Sequence, residues 1–344
     1  MRTLEYSAMK NPHIKRQQLG MSIIELMVAV TIGSILTLGV IQLFISSKHS
    51  YRLQESMGTL QENARFSIQA LTYSLRMADH WGGVEGNKIY GTPTGLTGIS
   101  GSVCNTAWIT NAKEGVRGYE GGASSPLNCV GDDDYVANSD ILVVRYASPN
   151  GVATNTELGS SASTNVFVRS NVGTKGDFIN GGNSTIGALA DADGTYNFPY
   201  TVEAFFLRPC SEKAGSTCAT SDDDGDPIST LTRLALQNGE LVQQPLIEQV
   251  EQMQFEYGLD IDSDQTADVY ATATTIDANA NYKWSDVVGV RASIVVRSSN
   301  KDSAIPSGTS TYNMAGSYTH SVTNDDYRRR LFTQVIQVRN RTRG

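Results

Sequence analysis

Residues 19–30 read LGMSIIELMVAV, which places Gly20 at the end of a basic leader and a single carboxylate, Glu25, at the fifth position of the apolar run that starts at Met21. The run covers residues 21–45 and is broken only by Glu25 and by small or mildly polar residues: Ser22, Thr31, Gly33, Ser34, Thr37, Gly39 and Gln42. About 20 apolar residues span a bilayer as a helix, so this segment is long enough to cross one. Lys10, Lys15 and Arg16 lie before it, an excess of cations that holds the leader in the cytoplasm and sends the chain beyond residue 45 outward. An ionised side chain near mid-bilayer costs about 3 kcal/mol, so Glu25 reads as a functional residue whose partner belongs to another subunit. The competing reading lets Glu25 snorkel to the headgroups near the helix end.

A conventional signal peptide is cut after its apolar run, behind small residues. Here the glycine comes before the run, while Ala29 and residues 33–34 could imitate a conventional site. In Gly20, Met21 and Glu25 the chain resembles the type IV pilin family, whose signature is a glycine, an apolar residue and a glutamate at the fifth position of the mature chain. The resemblance implies cleavage between Gly20 and Met21 by a prepilin peptidase, with methylation of the new amine. Two features depart from the family pattern. Met21 stands where phenylalanine is usual, and the leader of residues 1–20 is long unless Met9 is the start.

The composition suits an exported protein. The chain carries 35 acidic and 27 basic residues; without residues 1–20, which hold one acid and four bases, the balance is 34 against 23, or −11. An acidic body repels phosphate backbones, so a broad basic face for nucleic acid is not expected. Charged residues make up only 18%, and the residues beyond the first helix suffice for one large core or two small ones. Outside the cytoplasm Cys104, Cys129, Cys210 and Cys218 are expected as two disulfides. Of the three connectivities, the sequence-local one, Cys104 to Cys129 and Cys210 to Cys218, is favoured. A metal site competes with it, but no CxxC or nearby histidine pair supports one.

Beyond the membrane the helix is expected to continue. Met57, Leu60, Ala64, Ile68, Leu71, Leu75 and Ala78 recur every three or four residues, until Gly82 and Gly83 stop the pattern. Unbroken over residues 21–80, such a helix is about 90 Å long, so its second half must rest on the following domain. The remainder reads as antiparallel β. Strands are expected at residues 141–146, 200–207 and 331–338, with a hairpin of 234–237 and 241–243 turning through Asn238-Gly239, which supplies the two positive φ angles of a type I′ turn. Met253, Phe255, Tyr257 and Leu259 alternate with polar residues or glycine, as do Val288, Val290, Ala292, Ile294 and Val296, so each segment is expected to place one face on the core. Residues 82–135, 151–197 and 271–282 read as long loops.

Further resemblance follows from Gln61-Glu62-Asn63-Ala64-Arg65-Phe66, Leu75-Arg76-Met77-Ala78, Pro245-Leu246-Ile247-Glu248, the stretch 253–260, Arg329-Arg330-Leu331-Phe332 and Val338-Arg339-Asn340-Arg341. In this order they look like the PilW family of minor pilins, with the loops unmatched and Gly82-Gly83 standing where many relatives have Gly-Cys. The resemblance implies an α+β, pilin-like fold: a leader at 1–20, a transmembrane and assembly helix at 21–45, its amphipathic continuation at 46–81, and an exported β-rich domain at 82–344. It also implies a scarce subunit that primes type IV pilus assembly near the fibre tip. The implied partners are other minor pilins, the major pilin, the prepilin peptidase, the inner-membrane assembly machinery and a tip adhesin. The protein would sit in the bacterial inner membrane with a periplasmic body, then in the extracellular pilus. After cleavage the Met21 amine lies at the depth of a neighbour's Glu25, and both charges are costly in lipid unless paired.

Catalytic signals are missing. Of the four histidines, His13, His49, His80 and His320, none belongs to an H-E-x-x-H pattern, and no G-x-S-x-G, Walker or G-x-G-x-x-G motif occurs. No enzyme and no required cofactor are expected. Residues 132–134 and 222–224, both Asp-Asp-Asp, read as solvated loops. Asp260, Asp262, Asp264 and Asp268 have the alternate spacing of a Ca²⁺ loop, although Gln265 replaces its glycine and Ala271 its bidentate glutamate; an acidic turn is the plainer reading. Alternatives to the pilus subunit are a J-type minor pseudopilin of type II secretion and an adhesin or hydrolase borrowing a pilin anchor.

Overall fold

The computed structural model describes residues 20–96, 103–182, 194–302 and 305–341. The leader before Gly20, with Met9, lies outside them. The fold class is α+β, with a long apolar N-terminal helix followed by a mostly antiparallel body. By contacts the chain divides into two units, residues 1–55 and 56–344.

In the first unit the described residues are Gly20 to Ser22 and the opening of helix α1, Ile23–Met77, which is long and apolar enough to cross a membrane. The side chains from Met21 to Ile45 are exposed. The hydroxyls within the run are spent on the helix itself: Thr31 Oγ1 donates to the Met27 carbonyl (3.0 Å), Ser34 Oγ to Val30 (2.8 Å) and Thr37 Oγ1 to Gly33 (2.8 Å). Internal satisfaction of this kind is what lets polar residues enter hydrocarbon.

In the second unit the remainder of α1 buries Leu60, Ala64, Ser67, Leu71, Ser74 and Leu75. This stripe departs from the expected one, because Met57 is exposed and Ile68 only half-buried, while two serines enter. Both serines find partners: Ser67 Oγ donates to the Asn63 carbonyl (2.8 Å) and Ser74 Oγ to Glu203 Oε2 (2.5 Å). The helix stops at Met77 rather than reaching residue 81, because Asp79 adopts φ 61° before Gly82 and Gly83 are reached.

The strands are β1 (Ile89–Tyr90), β2 (Val116–Tyr119), β3 (Ile141–Ala147), β4 (Val166–Asn171), β5 (Lys175–Asn180), β6 (Thr195–Arg208), β7 (Thr230–Gln237), β8 (Glu240–Glu248), β9 (Val250–Leu259), β10 (Val269–Ala271), β11 (Val287–Lys301), β12 (Thr309–Asn313), β13 (Thr319–Thr323) and β14 (Tyr327–Gln337). Short helices α2 (Thr106–Ile109), α3 (Asn155–Ser160) and α4 (Ala273–Ala278) lie in the connections. A large sheet runs β1-β5-β4-β6-β3-β2, with β7 also on β6 and β8 beyond it; a second runs β10-β9-β11-β14; β12 and β13 form a separate hairpin. All pairs are antiparallel except β1 with β5.

Strand β6 organises the large sheet because its two halves meet different neighbours. Phe167 to Asn171 of β4 lie opposite its start and Thr230 to Ala235 of β7 opposite its end, while β3 occupies the other edge. Two cores result. One joins Leu60, Leu71 and Leu75 of α1 to Met253, Phe255, Val290, Ile294 and Phe205; the other packs Trp81, Ile109, Leu127, Val143, Val168 and Phe206 on the opposite face of the large sheet. Strand β3 serves both, and its residues are all buried.

Several expectations change. The span 151–197 holds α3 and the hairpin β4–β5, and 82–135 holds β1, α2 and β2, so neither is a structureless loop. Short polar-flanked runs such as Val166-Phe167-Val168 become strands by pairing with β5 and, from Phe167 onward, with β6. Residues 271–282 include α4. On β11 a register shift between Val287 and Gly289 puts Val287 rather than Val288 on the core face with Val290. The polar face of β9 is covered as well: Gln252 donates to Tyr318 Oη (3.3 Å) and Gln254 to the Asn138 carbonyl (2.6 Å). The Asn238-Gly239 turn forms as read, with φ of 49° and 85°.

The acidic triplets are not merely solvated. Asp134 is buried, bound to Lys213 Nζ (2.5 Å) and the Cys218 N–H (2.9 Å), and Asp222 and Asp223 collect backbone N–H groups from Ala214, Ala219, Ser211, Glu212 and Ile228. These carboxylates shape the segment closed by the Cys210–Cys218 disulfide; Cys104 is joined to Cys129.

Asp140 links the two large sheets. Its N–H donates to the Met253 carbonyl (3.0 Å), and its carboxylate accepts from the N–H groups of Phe255 (2.7 Å) and Gly121 (2.9 Å). Burial pushes its pKa up to about 7 despite those two donors. Since the folded value exceeds the ordinary 3.8, the folded state holds a proton that the unfolded chain releases, and stability falls as pH rises from about 4 to about 7. Glu251 works in the other direction: burial raises its pKa, but the hydrogen bonds and charge of Arg329, with His320 Nε2 3.6 Å away, outweigh this and hold it at about 2, so its contribution is lost on acidification from about 4.5 to about 2. Melting of the soluble body across this range is expected to peak near pH 4–5. Asp140→Asn should flatten the descent above that peak, and a descent unchanged in the variant would exclude Asp140 as its source.

Candidate processing and assembly site

Gly20 and Glu25 flank the start of α1. Ser22 begins the helix, with its carbonyl accepting from the Leu26 N–H (3.1 Å) and its hydroxyl from the Ile24 N–H (3.4 Å). Gly20 is exposed, and a Cβ placed on it would meet no atom within 4 Å. Among the described residues, packing therefore gives no reason for glycine at this position. Met21 is exposed at 64%.

Glu25 lies in the first turn of α1, where its negative charge favours the helix dipole. Its side chain is exposed and pairs with no side chain among the described residues. Ser22 and Glu25 have the S-x-x-E spacing of a capping box. The reciprocal bond from Ser22 N–H to Glu25 does not form among the described contacts, so local capping does not use the carboxylate. The arrangement offers an acceptor of positive charge at the start of an otherwise satisfied apolar helix.

At the other end of α1 a clamp holds the helix to residues 340–341. Asn340 Nδ2 reaches the carbonyls of Ala78 (2.9 Å), Met77 (3.2 Å) and Arg76 (3.4 Å), groups that the end of a helix leaves without partners. Arg341 forms an ion pair with Asp79 (2.7 Å), whose other oxygen accepts from Trp81 Nε1 (2.9 Å). Burial nevertheless raises the pKa of Asp79, so the pairing offsets only part of the cost of placing the carboxylate there. Sequence reasoning singled out Asn340 and Arg341 as parts of a motif without assigning them this role, because their partners lie more than 250 positions away in the chain.

The acidic loop after β9 assembles only in part. Oxygens of Asp260, Asp262 and Asp268 approach within 4.8 Å of one another. Asp264 is not brought into the group; its Oδ1 accepts from the N–H (2.8 Å) and hydroxyl (2.6 Å) of Thr266. The loop also binds itself: Asp260 accepts from the N–H groups of Asp264 and Gln265, and Asp268 from Ile261. A hard cation would thus have three carboxylates instead of the expected four.

A family model described as Type IV Pilus-assembly protein W matches residues 218–340, and one described as Prokaryotic N-terminal methylation motif matches residues 15–41. No curated protein and no solved structure matches the chain.

Proposed function

The chain is a PilW-family type IV pilin, a minor pilin of the pilus system, and from that premise we propose that it primes assembly near the fibre tip. The supporting observation is the start of α1, where a glycine without steric cause precedes an apolar helix bearing a single carboxylate. Cleavage after Gly20 creates an amine at Met21. In a staggered pair of subunits that amine meets Glu25 of the neighbour, and two charges costly in lipid become a pair. The leader motif and the apolar helix support anchoring in a membrane and association with a pilus; we assign the body to the periplasm before assembly and to the cell exterior after it. Prepilin peptidase and pilus machinery are the partner classes, with other minor pilins, the major pilin and a tip adhesin as the proposed neighbours. The match over 218–340 supports the pilus over a secretion pseudopilus.

A major subunit must pack copies of itself on every side, whereas a terminal subunit fits only the layer beneath it. A body of this size suits the second position. The expected result is a few copies per fibre at the tip, a mature chain beginning at Met21, and loss of fibres on deletion because initiation fails. Quantitative mass spectrometry of sheared pili, immunogold labelling and N-terminal sequencing measure these. Regular labelling along the shaft at near the major subunit's abundance would falsify the primer reading, and a mature chain starting after Ala29 or Ser34 would overturn processing at Gly20.

Ca²⁺ is proposed as an accessory ligand of Asp260, Asp262 and Asp268, with Asp264 as an outer residue. Calorimetric titration of the soluble body with CaCl₂ should show saturable binding that Asp262→Asn weakens by about tenfold or more, the loss of one of few anionic ligands to a hard cation. A titration without saturable heat, together with a melting curve indifferent to EDTA, would dispose of it.

A further inference from the structure

Sheet edges in the body are treated unequally. Strands β1, β2 and β10, which end their sheets, have two, four and three residues. The longer β8 carries Pro245 beside a register shift against β7 and a glutamate at each end. Shortness, proline and irregularity are the ordinary means of keeping an edge from pairing. Strand β14 has eleven residues, lies at the end of the second sheet, and stays in regular register with β11 from Arg329 to Gln337.

Two contacts fix which backbone groups point inward. Val338 N–H donates to Val288 O (2.9 Å) and Arg328 N–H to Ser298 Oγ (3.1 Å), so even-numbered residues face β11. Alternation turns the N–H and C=O groups of Leu331, Thr333, Val335 and Gln337 away from the sheet. Among the described residues no hydrogen bond reaches them. Thr333, Val335 and Gln337 are exposed, and Val335 is 47% exposed although apolar.

Charge distinguishes the occupants. Arg330 and Arg339 are exposed at the two ends of this stretch, and the Arg330 guanidinium lies 5.4 Å from the Phe332 ring. Arg328 and Arg329 already pair with Asp302 and with Glu251 and Asp325. Two copies meeting antiparallel along β14 would bring Arg330 of one toward Arg339 of the other, two exposed residues of the same charge. We propose that β14 is a docking edge that accepts an extended strand of a different subunit, about seven residues long and bearing Asp or Glu at the end that meets Arg330, by antiparallel or parallel strand addition. This rests on the chain being a pilus subunit, and it names a contact that the pairing of Glu25 does not supply.

The test places a photo-crosslinking side chain at Val335 in the full-length protein in cells, with Val242 on β8 as the reference position. A strong adduct at 335 with a different subunit is expected, mapping to an extended acidic peptide and falling about tenfold or more in Arg330→Glu, the size of effect a reversed charge has at a complementary contact. Val335→Pro removes an outward N–H and no ladder bond, so it should abolish the contact while the Cys104–Cys129 and Cys210–Cys218 bonds and the melting temperature persist; Val335→Thr should retain the contact. If the proline variant unfolds, the adduct at 335 and its loss in Arg330→Glu decide the matter. An adduct between two copies, one mapping to a helix, or yields at 335 no higher than at 242 would each overturn the proposal. Wild-type processing and recovery in sheared fibres, measured in parallel, separate its failure from failure of the pilin reading.

Discussion

Glu25→Ala is expected to leave the protein inserted and its body folded while reducing its recovery in sheared fibres by about a hundredfold. The estimate follows from about 3 kcal/mol for an unpaired charge in the membrane, the quantity at stake for the neighbour's Met21 amine when its partner is removed. Insertion itself should not suffer, since the substitution removes a charge from the apolar run. Nor should the helix start, because Ser22 and not Glu25 receives the first N–H bonds. Glu25→Gln sharpens the comparison: it preserves shape and hydrogen-bonding capacity but not charge. Failure of both variants to enter fibres marks the charge as the active element, whereas recovery in the glutamine variant would show that hydrogen bonding, and not charge, is what the neighbour requires. Normal entry of the alanine variant would show the pair to be dispensable.

The second large effect concerns stability. Replacing Asn340 and Arg341 together by alanine should destabilise the body by about 3 kcal/mol, or roughly 6–10 °C in Tm. Asn340 serves three carbonyls at the end of α1, and Arg341 compensates an Asp79 carboxylate whose pKa burial already raises. Arg341→Ala alone should account for most of the loss, since it leaves a largely buried charge without its partner. Adding Asp79→Asn to Arg341→Ala should recover much of it, because the amide can still accept from Trp81 without carrying charge. Thermal melting of the wild type, Arg341→Ala, Asp79→Asn and the combination of the two measures the cycle. Equal losses with and without Asp79→Asn would place the role of Arg341 elsewhere, for example in covering apolar surface.

The same clamp shows where reading the chain reached its limit. Val338-Arg339-Asn340-Arg341 stood out as a motif, yet nothing local reveals that its side chains close a helix that ends at residue 77. The cores of β9 and β11 were legible from alternation, apart from the shift at Val287 and Gly289, because a bulge depends on the partner strand. Hairpin β7–β8 was legible because Asn238-Gly239 encodes its own backbone angles. Helix α3 also had a local signal, Thr154 and Glu157 in capping-box spacing, which a reading dominated by polar composition passed over. Strands β4 and β5 had no comparable signal, and they exist by pairing with one another and with β6.

What the sequence determined by itself was the opening of the chain: Gly20, the apolar run and Glu25 are defined by length, charge and order along the chain, quantities that need no fold. Local turn chemistry and strong periodicity belonged to the same class. Only the tertiary structure decided the rest: the burial of Asp134 and Asp140, the separation of Asp264 from the other three aspartates, the clamp on α1 and the open edge of β14. Each arises when residues distant in sequence are brought together. The desolvation and hydrogen bonding that set their chemistry then depend on the neighbours they acquire on folding.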